Sequence, residues 1–264
     1  MFLSLEDQAV TEEYLDQGYV IRPVKDQQAL DWIRSLLVAR SHKCLNIIPD
    51  DRPDVWLNQI HERVPASDLN AFRLEIINSI NAEVDLRRRY FELAKPWLEA
   101  LVGNELAMQL RINLSIQLPR DDSSLLAVHA DTWAGDSPYE VVVWTPMVDC
   151  SKTKSMYLLP PEAARRLRSE FAKRAGSSSE DLFQAIESEV VWLEVPYGHV
   201  LIFDQGLPHG NRINEETETR WSMNCRFKGV FTPYGDKKIG EFFEPITLRA
   251  ASRKGMSYQY PEVS

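Results

Sequence analysis

The chain is poor in cysteine, carries no excess of positive charge and has no long apolar run, and each shortage closes off a class of protein. Cys44, Cys150 and Cys225 are the only cysteines in 264 residues. They are odd in number, far apart and lack a C-x-x-C spacing, which argues against a disulfide framework or a zinc ribbon and fits a reducing cytoplasm. With 30 Lys and Arg against 39 Asp and Glu, the net charge is −9, the wrong sign for a protein whose main partner is a nucleic-acid backbone. No stretch approaches the roughly 20 apolar residues that span a bilayer. The opening MFLSLEDQAVTEEYL turns acidic after five residues, where a signal peptide would become apolar. The expectation is a cytoplasmic protein with a small-molecule partner and neither nucleic acid nor membrane, its oligomeric state left open.

What is present is enough for one large core: 44% hydrophobic and 26% charged residues, the usual proportions of a globular domain. A single domain over 1–264 is the simplest reading. Helical spacing predicts a short helix from Leu5 to about Asp16 ending at Gly18, a strand at Tyr19-Val20-Ile21, a helix from Gln27 to Ala39, and a longer helical region from Ser67 to Leu101 interrupted near Pro96. Residues 1–103 then form a helical support. From 104 to 231 the pattern is strands. MQLRINLSIQLP alternates, with Leu110, Ile112, Leu114 and Ile116 on one face and Arg111, Asn113, Ser115 and Gln117 on the other. Further strands are expected at 125–129, 139–148, 156–159, 190–195, 199–203 and 220–231, with a helical insert over 161–188 broken by Gly and Ser. Residues 232–264 are a C-terminal extension. Many short strands without regular β-α alternation favour an antiparallel double-stranded β-helix, or jelly roll, flanked by helices.

Into this pattern the segment VHADTWAGDSPYEVVVWTPMVD inserts His129 and Asp131. At a two-residue period both side chains leave one face and can share a metal ion, although a surface His beside a turn Asp has the same signature. His209 follows an apolar strand and a Gly-Leu-Pro turn, which places it toward the interior; His42, His61 and His199 read as surface, capping or turn residues. Two histidines and one carboxylate form the triad of non-haem Fe(II) oxygenases, whereas a structural zinc site would want four ligands. Eleven residues after His209, Arg220 and Ser222 begin the next strand on one face, and the arginine offers a planar fork for a carboxylate.

The H-A-D motif, the distal His and the Arg-x-Ser resemble the Fe(II)/2-oxoglutarate-dependent dioxygenases, and within them the chain is similar to the phytanoyl-CoA dioxygenase-like group. EEYLDQGYVIRPV resembles the helix-to-strand opening of that group, so the likeness spans nearly the whole chain. HADTWAGDSPYEVVVWTPMVDCSKTKSMYLLP resembles a small branch associated with bacterial carbohydrate or surface-polysaccharide biosynthesis. The group's Asn-Gly and Pro-Gly-Ser-His signals appear here as Thr153-Lys154-Ser155-Met156 and Leu159-Pro160-Pro161-Glu162, so a CoA thioester is not implied. The resemblance implies Fe(II) on His129, Asp131 and His209, with 2-oxoglutarate and O2 as cosubstrates. The far carboxylate of 2-oxoglutarate would pair with Arg220 and hydrogen-bond Ser222, and the reaction would be oxidation, most simply hydroxylation, of a C–H bond in a sugar or sugar derivative.

Other residues carry two readings each. Asn113, Ser115 and Gln117 line the pocket, Gln117 toward cosubstrate and Asn113 toward substrate, or they form a solvated sheet face. Trp133 and Asp136 are a substrate wall and a hydroxyl acceptor, or a packed Trp and a turn Asp. Ser155 and Lys154 reach the cosubstrate carboxylate, or are a strand-start Ser and an exposed Lys. Arg226 is a second carboxylate contact or an edge-strand charge. Three other functions remain open: an oxygenase of amino acids or natural-product intermediates, another metal enzyme on a similar barrel, and a non-catalytic carbohydrate-binding protein.

Overall fold

Helices come first and strands after in the computed structural model of the chain, which describes residues 2–48, 52–171, 176 and 178–261. Ser4 opens α1 (Leu5–Gln17) by accepting the Asp7 amide at 3.1 Å, and Gly18 closes it at φ 80°, a conformation that favours glycine. β1 (Tyr19–Pro23) follows, then α2 (Gln27–Leu45), α3 (Pro53–Asn58), α4 (Ala66–Asn81) and α5 (Leu86–Leu101). α2 outruns the expected end at Ala39 because Ser41 and His42 continue its buried stripe, His42 packing on Trp56 with ring centres 3.9 Å apart. Pro96 lies inside α5, and the break in the 67–101 region falls at 82–85 instead. Buried Leu93, Ala94 and Leu98 hold the helix through the proline, and the Leu93 carbonyl accepts the Lys25 amide at 2.8 Å.

The strands are β2 (Leu106–Gln109), β3 (Asn113–Gln117), β4 (Glu140–Pro146), β5 (Tyr157–Leu158), β6 (Val191–Trp192), β7 (His199–Asp204), β8 (His209–Gly210), β9 (Arg220–Gly229) and β10 (Phe243–Pro245). α6 (Pro161–Glu170) and α7 (Ser179–Ile186) lie in the insert between β5 and β6, and α8 (Ala250–Met256) is the last element among the described residues. Part of the expected Gly/Ser break in that insert, 172–175 and 177, lies outside the described residues. The main sheet runs β1-β7-β4-β9-β2-β10, with β3 also paired to β9; β6-β5-β8 form a second sheet. Every strand pair is antiparallel. This is the jelly-roll architecture with flanking helices that the strand pattern predicts.

Two strand expectations need correction. The alternating run after Gly103 is two strands: Met108 faces Phe227 and Asn113 faces Asn224, so residues 110–112 bulge away from β9. Their amides bond elsewhere, Leu110 to the Phe242 carbonyl at 2.8 Å and Ile112 to Asn81 Oδ1 at 2.9 Å. Leu110 is consequently 40% exposed instead of sharing the core face with Ile112, Leu114 and Ile116. The segment 125–129 is no strand; only His129 pairs, in a single bridge to His209.

β9 decides where the site lies. Trp221, Met223, Cys225 and Phe227 face the helices and are fully buried. The Trp221 indole donates to the Leu57 carbonyl at 2.9 Å, and the Tyr90 hydroxyl of α5 meets the Val143 and Met223 carbonyls at 3.0 and 3.1 Å. With that face apolar, the alternate residues Arg220, Ser222, Asn224 and Arg226 turn to the other side of the sheet.

Candidate metal centre

His129 and His209 are brought together by backbone pairing. The His129 amide donates to the His209 carbonyl at 3.0 Å, and the His209 amide donates back at 2.8 Å. Gly210 is required beside them: a Cβ there would lie 2.7 Å from the Leu126 carbonyl oxygen. Asp131 starts a 3-10 turn, Asp131–Ala134, whose first amide donates to the Gln205 carbonyl at 3.0 Å. The potential ligand atoms of His129, Asp131 and His209 all lie within 4.8 Å of one another.

The imidazoles are set up as ligands. Each donates Nδ1–H to the carbonyl two residues earlier, His129 to Ala127 and His209 to Leu207, both at 2.8 Å. That fixes the tautomer and leaves each Nε2 lone pair free for a metal. Burial, then the neighbouring His129, lowers the His209 pKa to about 4, so this ring is neutral near pH 7. Arg226 donates to Asp131 Oδ1 at 2.9 Å and orients the carboxylate. These residues fit a divalent metal with open coordination positions. The donor set alone does not separate Fe(II) from catalytic zinc, which also uses three protein ligands.

Arg220 adds the discriminating feature. Its guanidinium is buried and donates to the Ser155 carbonyl at 2.9 Å and Ser115 Oγ at 3.0 Å, while Nε has no partner. No ion pair among the described residues includes Arg220, and burial lowers its pKa to about 10. The hydroxyls of Ser155 and Ser222 and Oε1 of Gln117 are likewise buried and unpartnered. A buried cation without an anion is costly, and its hydrogen-bonding neighbours are also unsatisfied. Such a cradle suits a carboxylate supplied from outside.

A cavity of about 480 Å³ joins the two features, lined by His129, Asp131, His209, Arg220, Asn113 and Ser115 among others. Ser222 pairs with Ser115 across β9 and β3, and Gln117 lies opposite Arg220, its amide donating to the Arg212 carbonyl at 2.5 Å. Asn113 donates to Asn224 at 3.0 Å.

Trp133 and Asp136 belong elsewhere. They line a neighbouring cavity with Phe171, Arg168 and Asp204, and Trp133 packs on Phe171. The Asp136 carboxylate is buried between Arg226 at 2.8 Å and Lys237 at 2.7 Å. Lys154 is neither exposed nor free: it is buried, paired with Glu218 at 2.6 Å and bonded to Asn58. Arg226 is no edge-strand charge, because β9 runs between β4 and β2, and the carboxylates it meets are the protein's own. Of the other histidines, His61 bonds Thr219 Oγ1 at 2.9 Å, and His199 starts β7. Sequence reasoning also passed over Arg73, Asn211 and Asn224 as cavity residues. Asn224 was recoverable from the period of β9, and Arg73 from its place between Leu69 and Ile76 on the apolar stripe of α4.

No family model matches the sequence, and no curated protein matches it. Solved structures do. The chain is similar to a non-heme monooxygenase, ThoJ, in its nickel complex, at 13% identity and a TM-score of 0.58, over 92% of this chain and 85% of that one. It is similar to HygX from Streptomyces hygroscopicus with nickel and 2-oxoglutarate bound, at 14% identity and 0.52, over 88% and 89%. It also resembles the non-heme alpha ketoglutarate dependent epimerase SnoN from nogalamycin biosynthesis, at 15% and 0.51, over 89% and 85%. At such identities these likenesses establish the fold, shared over most of each chain.

Proposed function

We propose that this protein is a non-haem Fe(II)- and 2-oxoglutarate-dependent oxygenase of a small polar metabolite. The observation that carries the reading is the pairing, in one cavity, of an open His-Asp-His set with a buried arginine that has no anion of its own among the described residues. A zinc hydrolase or a cupin-type isomerase has no use for that arginine, and a binding protein has no use for the metal ligands.

His129, Asp131 and His209 would hold Fe(II). When bound, iron and 2-oxoglutarate supply the oxidising power: O2 is consumed, the keto acid becomes succinate and CO2, and a substrate C–H bond is oxidised. The chain's part is binding and orientation. Arg220 would donate its fork to the far carboxylate, helped by Ser115 on the cavity wall, while Ser222, Ser155 and Gln117, which carry unpartnered oxygens beside Arg220, lie behind that wall. Phe203, Val142 and Trp144 wall the cavity and limit access of water. Asn113 and Asn224 offer amides to substrate hydroxyls.

A sugar or sugar derivative, in the manner of the phytanoyl-CoA dioxygenase-like branch tied to bacterial carbohydrate biosynthesis, is the substrate class this reading favours, with hydroxylation as its simplest outcome. HygX, for comparison, has been solved with hygromycin B bound, and SnoN with nogalamycin RO. An amino acid or natural-product intermediate is the second reading; the polar pair Asn113 and Asn224 favours the first. Trp133, on the adjoining cavity, would touch only a substrate that extends past the Asp131 turn.

The test is O2-dependent conversion of 2-oxoglutarate to succinate by the Fe(II)-loaded protein. Substitution of any one triad residue, as in Asp131→Ala, is expected to remove it entirely while the circular dichroism spectrum stays native. Turnover that survives in these variants would overturn the proposal.

A further inference from the structure

The charges that line the cavity are unlike those of the molecule as a whole. The protein carries a net charge of −9, yet among the described residues the cavity is lined by three arginines, Arg73, Arg220 and Arg226, against a single carboxylate, Asp131, and by no lysine or glutamate. On the reading proposed above, 2-oxoglutarate and Asp131 together balance Fe(II) and Arg220. Arg226 is already shared between Asp131 and Asp136. Arg73 is what remains.

Arg73 stands on α4, which packs along β3, the strand that carries Asn113 and Ser115. It is half-buried, and among the described residues its one side-chain hydrogen bond is to Asn70 Oδ1 of its own helix at 2.9 Å and no ion pair includes it. Most of its donors are therefore unspent. Asn113 donates to Asn224 across β3 and β9, which leaves the second N–H of Asn113 and the NH2 group of Asn224 as donors at the cavity. A positively lined cleft in an acidic protein concentrates anions at its mouth, and a guanidinium fork matches a carboxylate or a phosphate.

We infer that the substrate is an anion, and that Arg73, assisted by Asn113 and Asn224, binds its carboxylate or phosphate group in a subsite separate from the Arg220 cradle. This inference rests on the oxygenase reading for the identity of the Arg220 ligand, but the positive cavity and Arg73 stand without it.

Calorimetric titration with D-glucuronate, D-glucose 6-phosphate and neutral D-glucose tests it, performed on protein holding Ni(II) and 2-oxoglutarate so that no turnover intervenes. At least one anionic probe is expected to bind tenfold or more tightly than glucose, and the better of the two identifies carboxylate or phosphate as the group recognised. Arg73→Gln should abolish that preference, Arg73→Lys should restore part of it, and neither should change 2-oxoglutarate binding by more than about twofold. Equal binding of all three probes, no binding at millimolar concentration, or a preference intact in Arg73→Gln would overturn the inference. So would loss of 2-oxoglutarate affinity in Arg73→Gln, which would assign Arg73 to the cosubstrate. Should the protein fail to bind 2-oxoglutarate at all, the oxygenase reading fails, while the anion preference is still measured on the protein alone.

Discussion

Arg220 and Arg226 lie on the same strand, face the same side of the sheet and line the same cavity, yet they are opposites electrostatically. Arg226 meets two carboxylates, Asp131 at 2.9 Å and Asp136 at 2.8 Å, and Lys237 adds a further cation to Asp136. Arg220 meets a carbonyl and a hydroxyl, with three polar oxygens around it that have no partner among the described residues, the hydroxyls of Ser155 and Ser222 and Oε1 of Gln117. The difference separates scaffold from site. A buried charge whose counter-charge belongs to the chain holds the protein together, and a buried charge without one is held ready for something the chain does not contain.

The comparison can be broken most decisively at Arg220. Arg220→Met should weaken 2-oxoglutarate binding about 100-fold, the loss of two charge-assisted hydrogen bonds, while leaving the ligand-free protein as stable as before or about 1 kcal/mol more stable. Chemical denaturation with and without 2-oxoglutarate reads both quantities. In the wild type, 2-oxoglutarate at 100 times its Kd should add about 2.7 kcal/mol, and in Arg220→Met at the same concentration almost nothing. A ligand-free Arg220→Met that unfolds easily would make the arginine structural.

Arg226→Met should behave in the reverse sense. Removing it leaves Asp131 and Asp136 facing each other's charge, with only Lys237 to compensate, and a loss of about 2 kcal/mol is expected, seen as a lower Tm. Its effect on 2-oxoglutarate affinity should be indirect and smaller than that of Arg220→Met. A 100-fold weakening in Arg226→Met without loss of stability would exchange the two roles.

The smallest effect is expected at Trp133. It is 43% exposed and packs on Phe171 beside the second cavity, so Trp133→Ala should leave both iron and 2-oxoglutarate binding within about twofold. A larger change would join the two cavities into one functional site.

Part of the candidate site is legible in the amino-acid sequence. The two-residue step from His129 to Asp131, the Gly-Leu-Pro turn before His209 and the placement of Arg220 with Ser222 are local signals, and local spacing is what a sequence shows. The helix end at Gly18 was readable on the same grounds. What stayed hidden depends on partners far away in the chain. Nothing near 110–112 announces that Asn81 will draw the Ile112 amide off β9. Arg226 reads as an edge-strand charge or a second carboxylate contact until the fold brings Asp131 and Asp136 to it, and Asp136 reads as a hydroxyl acceptor or a turn residue until Arg226 and Lys237 enclose it. Lys154 is buried by Glu218 and Asn58, neither of them its neighbour in sequence. Arg73 shares the inward stripe of α4 with Leu69, Ile76 and Ile80, but only the docking of α4 on β3 brings that stripe to the cavity.

The most direct measurement is an anaerobic titration of the Fe(II)-loaded protein with 2-oxoglutarate, followed by visible absorption. A weak charge-transfer band that saturates with 2-oxoglutarate in the wild type, needs far more of it in Arg220→Met and never forms in His209→Ala is the result expected. Iron-containing wild-type protein that shows no such band at any 2-oxoglutarate concentration would contradict the assignment of the triad and of Arg220 together.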